Sequence, residues 1–275
     1  MFDKAGVEMA DRASSGRDSA GPDSTQNSNG RSESGLVRNS GTDNSDSAGS
    51  DSEIFGTDSA RSDISGPENL AETEPAIAAA LFGDRIELAR QFTSDLAAYG
   101  EQLGLIGPLE LNRLWTRHIL NSVLVAPLIR PGRVGDIGSG AGLPGLVLAI
   151  ARPDVQFFLI EPMERRVEWL QREADALELD NVEVVRARAE EAKFTPWLDQ
   201  VTARAVSALS KLIPLTVPLV RSGGELVFLK GVNVQTEVDA AAKVIRRLRL
   251  TEVEVLTLGE GVVAETTRIF RATVD

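Results

Sequence analysis

The sequence predicts an α/β domain on a mostly parallel, doubly wound sheet, preceded by a short helical subdomain. Three observations predict it. From Arg133 onward, short apolar runs alternate with helical segments of about 10–15 residues, the pattern of strand–helix–strand units. The first run empties into a glycine-dense loop, Gly138-Ser139-Gly140-Ala141-Gly142-Leu143-Pro144-Gly145. A break in composition near Pro67–Pro75 then separates about 200 core-forming residues, enough for one domain, from what precedes them.

The elements follow in order. Residues 77–81 and 86–98 have helical spacing, with Leu81, Ile86, Leu88, Phe92 and Leu96 on one side. Residues 100–107 are glycine-punctuated and read as a connector. Residues 109–126 form a third helix, whose buried stripe runs through Leu111, Leu114, Trp115, Ile119, Ser122 and Val125. Strands are expected at 133–137, 155–160, 182–185, 201–204 and 224–230, and a terminal antiparallel pair at 251–256 and 266–272. Helices are expected at 146–151, 164–177, 209–220 (interrupted by Pro214 and Pro218) and 237–249, with Pro144 in the first turn of the first of them.

Composition divides the chain and excludes several chemistries. Residues 1–70 hold 15 Ser, 9 Gly and 9 Asp and a charge of −7 of the total −12, too polar to bury a core. The expected organisation is therefore a Ser/Gly/Asp-rich disordered tail over 1–75 and a domain over 76–275, divided into a helical cap at 76–130 and a sheet core at 131–275. The absence of Cys removes disulfides, thiolate zinc sites and cysteine nucleophiles. A single His, His118, removes histidine-cluster metal sites, so no metal is expected. No apolar run approaches a membrane span and no basic-then-apolar leader is evident, so a cytoplasmic protein without membrane association is expected. The acidic balance gives no general support for nucleic-acid binding.

Two ligands compete for the glycine loop. Gly140-Ala141-Gly142-Leu143-Pro144-Gly145 satisfies the dinucleotide pattern G-x-G-x-x-G, with Glu161 following Gly140 by 21 residues, near the ribose-binding position. One register earlier, Asp136-Ile137-Gly138-Ser139-Gly140-Ala141-Gly142 resembles motif I of S-adenosylmethionine (SAM) methyltransferases. Asp136 favours SAM: a methionine ammonium is attracted to it, whereas a pyrophosphate is repelled. No Tyr/Lys or His/Asp pair suited to hydride chemistry follows. Among methyltransferases, the missing Cys excludes thiolate-adduct methylation of pyrimidine C5. No Asn-Pro-Pro-Tyr or Asp-Pro-Pro-Tyr string supports adenine amino methylation. An acceptor that is already nucleophilic, such as guanine N7, fits what remains.

A longer chain of motifs is more specific. Leu114-Trp115-Thr116-Arg117-His118-Ile119-Leu120-Asn121-Ser122, the loop 136–145, Ile150-Ala151-Arg152-Pro153 and Glu161-Pro162 occur in order. Arg165-Arg166-Val167, Arg186-Ala187-Arg188-Ala189-Glu190-Glu191, Ala203-Arg204-Ala205 and Leu229-Lys230-Gly231 follow them. Together they resemble the ribosomal RNA small-subunit methyltransferase G family, also called the glucose-inhibited division protein B family, over roughly 80–275. The resemblance implies a Rossmann-like SAM-dependent methyltransferase with a seven-stranded sheet and helices on both faces. It also implies SAM-dependent methylation of guanine N7 in the decoding-region loop of 16S rRNA, presented within a partly or fully assembled small subunit. SAM contacts are implied at Gly138, Gly140, Leu143, Ala189, Glu190 and Arg204, with Glu161 on the ribose. Arg117, His118, Arg188 and Lys230 are implied to position the substrate, and a cluster of these with Arg113 and Arg186 offsets the acidic balance locally. Trp115 reads as core. Two departures stand out. Asn121 occupies a position where many members carry Asp, which weakens an implied support for the Arg-His pair, and the Ser/Asp tail resembles an actinobacterial-type extension. Two alternatives remain open: a SAM methyltransferase acting on a small molecule or protein, and a dinucleotide-binding or non-catalytic regulator.

Overall fold

The architecture comes from a computed structural model that describes residues 71–275, within one compact unit, Asp63–Asp275. Most of the tail expected over 1–75 lies outside the described residues. Two helices, α1 (Ile77–Phe82) and α2 (Ile86–Tyr99), are joined by a tight turn at Gly83–Arg85. The third predicted helix is broken into short pieces. A 3₁₀ turn at Leu111–Arg113 leads into a π-helical segment, Leu114–Leu120, then one α-helical turn, α3 (Asn121–Val123), and a further 3₁₀ turn at Ala126–Leu128. Apolar periodicity reports a helical face but not the hydrogen-bond step, so the π geometry was not legible in it. Such wide turns are uncommon and cluster at functional sites.

The sheet core follows the predicted alternation. β1 (Arg133–Ile137), α4 (Gly145–Ala151), β2 (Gln156–Ile160), α5 (Glu164–Ala176), β3 (Val182–Val185) and β4 (Leu198–Arg204) come first. α6 (Leu209–Thr216), β5 (Val220–Lys230), α7 (Val234–Arg247), β6 (Leu250–Leu258) and β7 (Thr267–Val274) complete it. Pro214 lies inside α6, and a 3₁₀ turn at Val217–Leu219 carries Pro218. Pro144 stands just before α4 rather than within its first turn. β4 and β5 begin earlier than predicted because their first residues pair with each other, Leu198 with Val220.

The strand order is β3-β2-β1-β4-β5-β7-β6; the first five are parallel and β7 runs antiparallel between β5 and β6. The seven-stranded Rossmann-like arrangement is thus the one anticipated. Apolar residues on both faces of the central strands explain the layering: in β2, Phe157 and Leu159 join one buried cluster and Phe158 and Ile160 the other. The first cluster takes Phe92 and Leu96 of α2, Ile119, and Trp169 of α5, while the second takes Leu212 and Ile213 of α6 and Ala241 of α7. Trp115 is buried, as expected of a core residue. At the amino-terminal edge of the sheet, the buried carboxylate of Glu225 is held by Arg130, Arg271 and Gln200, which ties β5 to its neighbours.

Register sets the functional edge. Ile137 pairs with both Ile160 and Ala203, and Arg204 pairs with Leu229. The residues that follow, Gly138, Glu161, Arg204 and Lys230, therefore emerge side by side at the carboxyl ends of β1, β2, β4 and β5, where open α/β sheets bind their ligands.

Candidate active site

The glycine loop leaves β1 and turns back into α4. Gly142 has φ +93°, and a Cβ there would sit 2.4 Å from Leu146 Cδ1. A Cβ on Gly145 would stand 2.5 Å from Asp136 Oδ2. Both positions require glycine for packing within the protein, in addition to any close approach by a ligand.

Asp136 supports this loop from beneath. It is fully buried, accepting the Gly145 N–H at Oδ2 (3.0 Å) and the Thr202 hydroxyl at Oδ1 (3.0 Å). Burial raises its pKa to about 7, against the pull of its hydrogen bonds, and the nearby Glu161 charge adds to the rise. Its Oδ2 thus serves the loop and its Oδ1 ties β1 to Thr202 of β4, while burial disfavours its charged form.

Glu161, expected on the ribose, is also held within the protein. It is 2% exposed; Oε2 accepts the Gly140 N–H and Oε1 accepts the Met163 N–H, each at 3.0 Å. The carboxylate thus closes the loop onto the start of α5, and only its remaining lone pairs are left for a hydroxyl. Ala189 is buried and Glu190 exposed in the connection between β3 and β4. Leu143 packs into the core.

An open cleft of about 710 Å³ lies at the same edge, lined in part by Arg117, His118, Arg204 and Lys230. It adjoins the glycine loop through Val206, whose side chain a Cβ on Gly138 would meet at 3.0 Å. Glu110 and Glu265 partner Arg117 at 3.3 and 4.0 Å. The Lys230 ammonium donates to the Ser207 carbonyl (2.9 Å) and pairs with Glu237 (2.8 Å).

His118 has a defined tautomer. The guanidinium of Arg204 has no acceptor, so where it meets His118 Nδ1 the imidazole must accept. The proton then resides on Nε2, which donates to Glu110 Oε2 at 2.6 Å. Burial, with the adjacent Arg204 charge, lowers the His118 pKa to about 4 despite the opposing pull of Glu110. Burial disfavours ionisation of Glu110, but the His118 N–H and the neighbouring arginines outweigh it and hold its pKa below the ordinary value. Arg204 also donates to the His118 carbonyl (3.3 Å) and Ser122 Oγ (3.4 Å), and burial brings its pKa down to about 10. It is partly buried, and among the described residues it makes no ion pair with a carboxylate.

The structure thus brings Arg117, His118, Arg204 and Lys230 together and leaves Arg188 out. Arg188 is exposed and does not line the cleft. Arg186 pairs with Glu164 and Arg113 with Glu265, so the six-residue basic cluster is replaced by a cleft holding only three of its members. Sequence reasoning missed Glu110, eight residues before His118, because nothing in its neighbourhood marks it; only the π segment turns both partners toward it. Support for the Arg-His pair comes from Glu110, Arg204 and Ser122, and Asn121 Oδ1 has no hydrogen-bond partner among the described residues.

Comparison with known proteins follows the same lines. The family model GidB, rRNA small subunit methyltransferase G, matches residues 85–266. A "Ribosomal RNA small subunit methyltransferase G" from Clavibacter michiganensis subsp. michiganensis is 67% identical over 205 residues, covering 74% of this chain and 97% of that protein. One of the same name from Pseudarthrobacter chlorophenolicus is 50% identical over 208 residues, covering 75% and 96%. A SAM-dependent O-methyltransferase from Thermotoga maritima aligns with a TM-score of 0.44 at 19% identity, over 57% of this chain and 65% of that one.

Proposed function

Because the chain belongs to the rRNA small subunit methyltransferase G family, we propose that it methylates guanine N7 in 16S rRNA with SAM as methyl donor. The observation that carries the choice of acceptor is the state of the cleft's titratable groups. The one His has no free lone pair, since Nδ1 accepts from Arg204 and Nε2 carries its proton to Glu110. The carboxylates of Glu110, Glu237 and Glu265 are each engaged with a cation. No group in the cleft is poised to remove a proton. Guanine N7 needs none removed, because its lone pair is exposed on the major-groove edge.

SAM supplies an electrophilic methyl group on a sulfonium. The residues at the carboxyl edge fit it: the glycine loop at Gly138 and Gly140 offers close backbone approach, and the partly buried Arg204 guanidinium makes no ion pair with a carboxylate among the described residues. Gly138, Gly140, Leu143, Ala189 and Glu190 border the cofactor. Glu161 acts there mainly by fixing the loop, and its spare lone pairs take a ribose hydroxyl. Arg117 and Lys230 hold phosphate or the guanine O6 edge, and neutral His118 keeps Arg204 aimed into the cleft. The work of the site is alignment of N7 with the methyl carbon. Arg188, exposed outside the cleft, meets the RNA backbone around it. With few free cations and a net charge of −12, the enzyme takes its substrate as an assembled or partly assembled small subunit in the cytoplasm. No helix among the described residues is long and apolar enough to cross a membrane.

Incubation with methyl-labelled SAM and small ribosomal subunits tests this reading. Label should appear in the RNA fraction. Label confined to ribosomal protein or small molecules would overturn it, and NAD binding in place of SAM would overturn the cofactor assignment.

A further inference from the structure

Residues 71–75 lie in the stretch that composition assigns to the tail, and two of them are tied into the fold. Glu74 meets the guanidinium of Arg90, on α2, at 2.6 and 2.9 Å. Glu72 donates its backbone N–H to the Leu111 carbonyl (3.0 Å), and its Oε2 accepts the backbone N–H of Thr116 (2.9 Å). The stretch therefore straps α2 to the π segment Leu114–Leu120. Thr116 sits in the first turn of that segment, where backbone N–H groups find no acceptor within the helix and need one from elsewhere. π turns are rare, which puts weight on the contacts that hold this one. Two residues further on, the His118 carbonyl accepts from Arg204 and from the Ser122 hydroxyl. The segment is thus gripped at Thr116 and at His118, with Arg117 between them.

We propose that Glu72 is a positioning residue for methyl transfer: its bond to the Thr116 N–H fixes the turn of the π segment and so brings Arg117 and His118 to the cleft. This rests on the reading of the cleft as the place where the substrate is held. Without that acceptor the first turn is free to relax toward the α-helical step. Such a change rotates every later side chain about the helix axis, which takes Arg117 and His118 away from Glu110 and out of line with the cleft. Misplacement of a positioning group by about 1 Å is enough to slow a reaction a hundredfold. The Glu72 charge also lies near Arg113, which itself pairs with Glu265, so the acceptor and the charge have to be separated experimentally.

Because His118 is the only His in the chain, nitrogen NMR of the full-length protein labelled at histidine reports on the segment directly. Wild type should show one tautomer, protonated at Nε2. Glu72→Ala removes the acceptor. Glu72→Gln keeps an acceptor oxygen at the same reach without the charge, and Glu72→Asp keeps the charge but draws the acceptor back by one methylene. At neutral pH the alanine and aspartate variants should show a mixture of tautomers. Both should lose about tenfold to a hundredfold in kcat on small ribosomal subunits from a strain lacking this enzyme. The glutamine variant should keep the single tautomer and stay within about threefold of wild-type kcat. SAM affinity by calorimetry should hold within about twofold in all three, since Glu72 bonds only to the π segment and the turn before it. An alanine variant with either the wild-type tautomer or the wild-type kcat overturns the proposal and leaves Glu72 a structural tie. A glutamine variant as impaired as alanine also overturns it, because the effect would then belong to the charge. If alanine prevents folding, aspartate set against glutamine gives the same contrast. Wild-type enzyme that methylates no guanine overturns the function assigned to the cleft, whereas the tautomer readout needs no substrate and decides the role of Glu72 separately.

Discussion

His118 Nε2 lies 2.6 Å from Glu110 Oε2 while its Nδ1 accepts from the guanidinium of Arg204. One imidazole therefore links an anion at one nitrogen to a cation at the other, and it does so in the neutral form. The pKa near 4 says the same in energetic terms: a second proton would place a cation directly against Arg204.

The first prediction is a pH dependence in stability and none of the usual histidine kind in rate. The folded pKa of His118 is depressed below the unfolded value of about 6.5. Its contribution to stability is complete above about pH 6.5 and is lost as pH falls toward 4, by on the order of 3 kcal/mol. His118→Gln should therefore lose less stability than wild type between pH 6.5 and 4, as read by urea unfolding. A rate limb near pH 6.5 that disappears in the variant would make His118 a proton-transfer group and would exclude N7 as the acceptor.

Much of this was legible in the sequence, and the part that was not has physical reasons. Apolar-rich segments alternating with helical ones placed all seven strands, most plainly β2, whose run Phe157–Ile160 is apolar throughout and buried on both faces. The loop and the residues ending β1, β2, β4 and β5 were legible because chain order and parallel register bring strand ends to one edge. Side-chain direction was not. Asp136 and Glu161 read as ligand-facing carboxylates, yet each is bonded within the protein, Asp136 by the Gly145 N–H and the Thr202 hydroxyl and Glu161 by the Gly140 and Met163 N–H groups. Arg188 read as a companion of Arg117 and His118, but the β3–β4 connection carries it away from the cleft. Glu110 was invisible because its importance depends on the π turn that faces it with His118.

Glu161 should prove to be a structural residue as well as a binding one. Glu161→Ala leaves the Gly140 and Met163 N–H groups without their acceptor in a buried place, costing about 1–3 kcal/mol of stability for each group that water cannot reach. Denaturant unfolding and SAM calorimetry should both respond. A loss of SAM affinity with unchanged stability would show the carboxylate free for the ribose and not committed to the loop.

Asp136 carries the opposite sign from His118. Its folded pKa, about 7, is raised above the unfolded value, so its contribution is present at low pH and lost as pH rises from about 4 through 7. Asp136→Asn can still accept from Gly145 and has no charge to bury, so its stability relative to wild type should improve across that range. A pH-independent difference between the two proteins would mean that Asp136 is ionised throughout, as a methionine-ammonium partner would be.

Arg117 and Arg204 should separate substrate from cofactor. Arg117 is half-exposed, and replacing it with Ala should lower methylation of small subunits about tenfold to a hundredfold while SAM affinity holds. Arg204→Lys should impair both, because a single ammonium cannot reproduce the fork that reaches His118 and Ser122 while facing the cleft. Full activity in Arg204→Lys would show that only its charge matters.

The central claim is methyl transfer to guanine N7 by a site without a proton acceptor. The most direct measurement is nucleoside mass spectrometry of 16S rRNA from small subunits treated with enzyme and SAM, set beside untreated subunits from a strain lacking the enzyme. The account predicts a gain of one 7-methylguanosine per 16S rRNA, abolished or strongly reduced in Arg117→Ala. A gain of a methyl group on an exocyclic nitrogen, a ribose oxygen or a pyrimidine carbon, with no 7-methylguanosine, would contradict it.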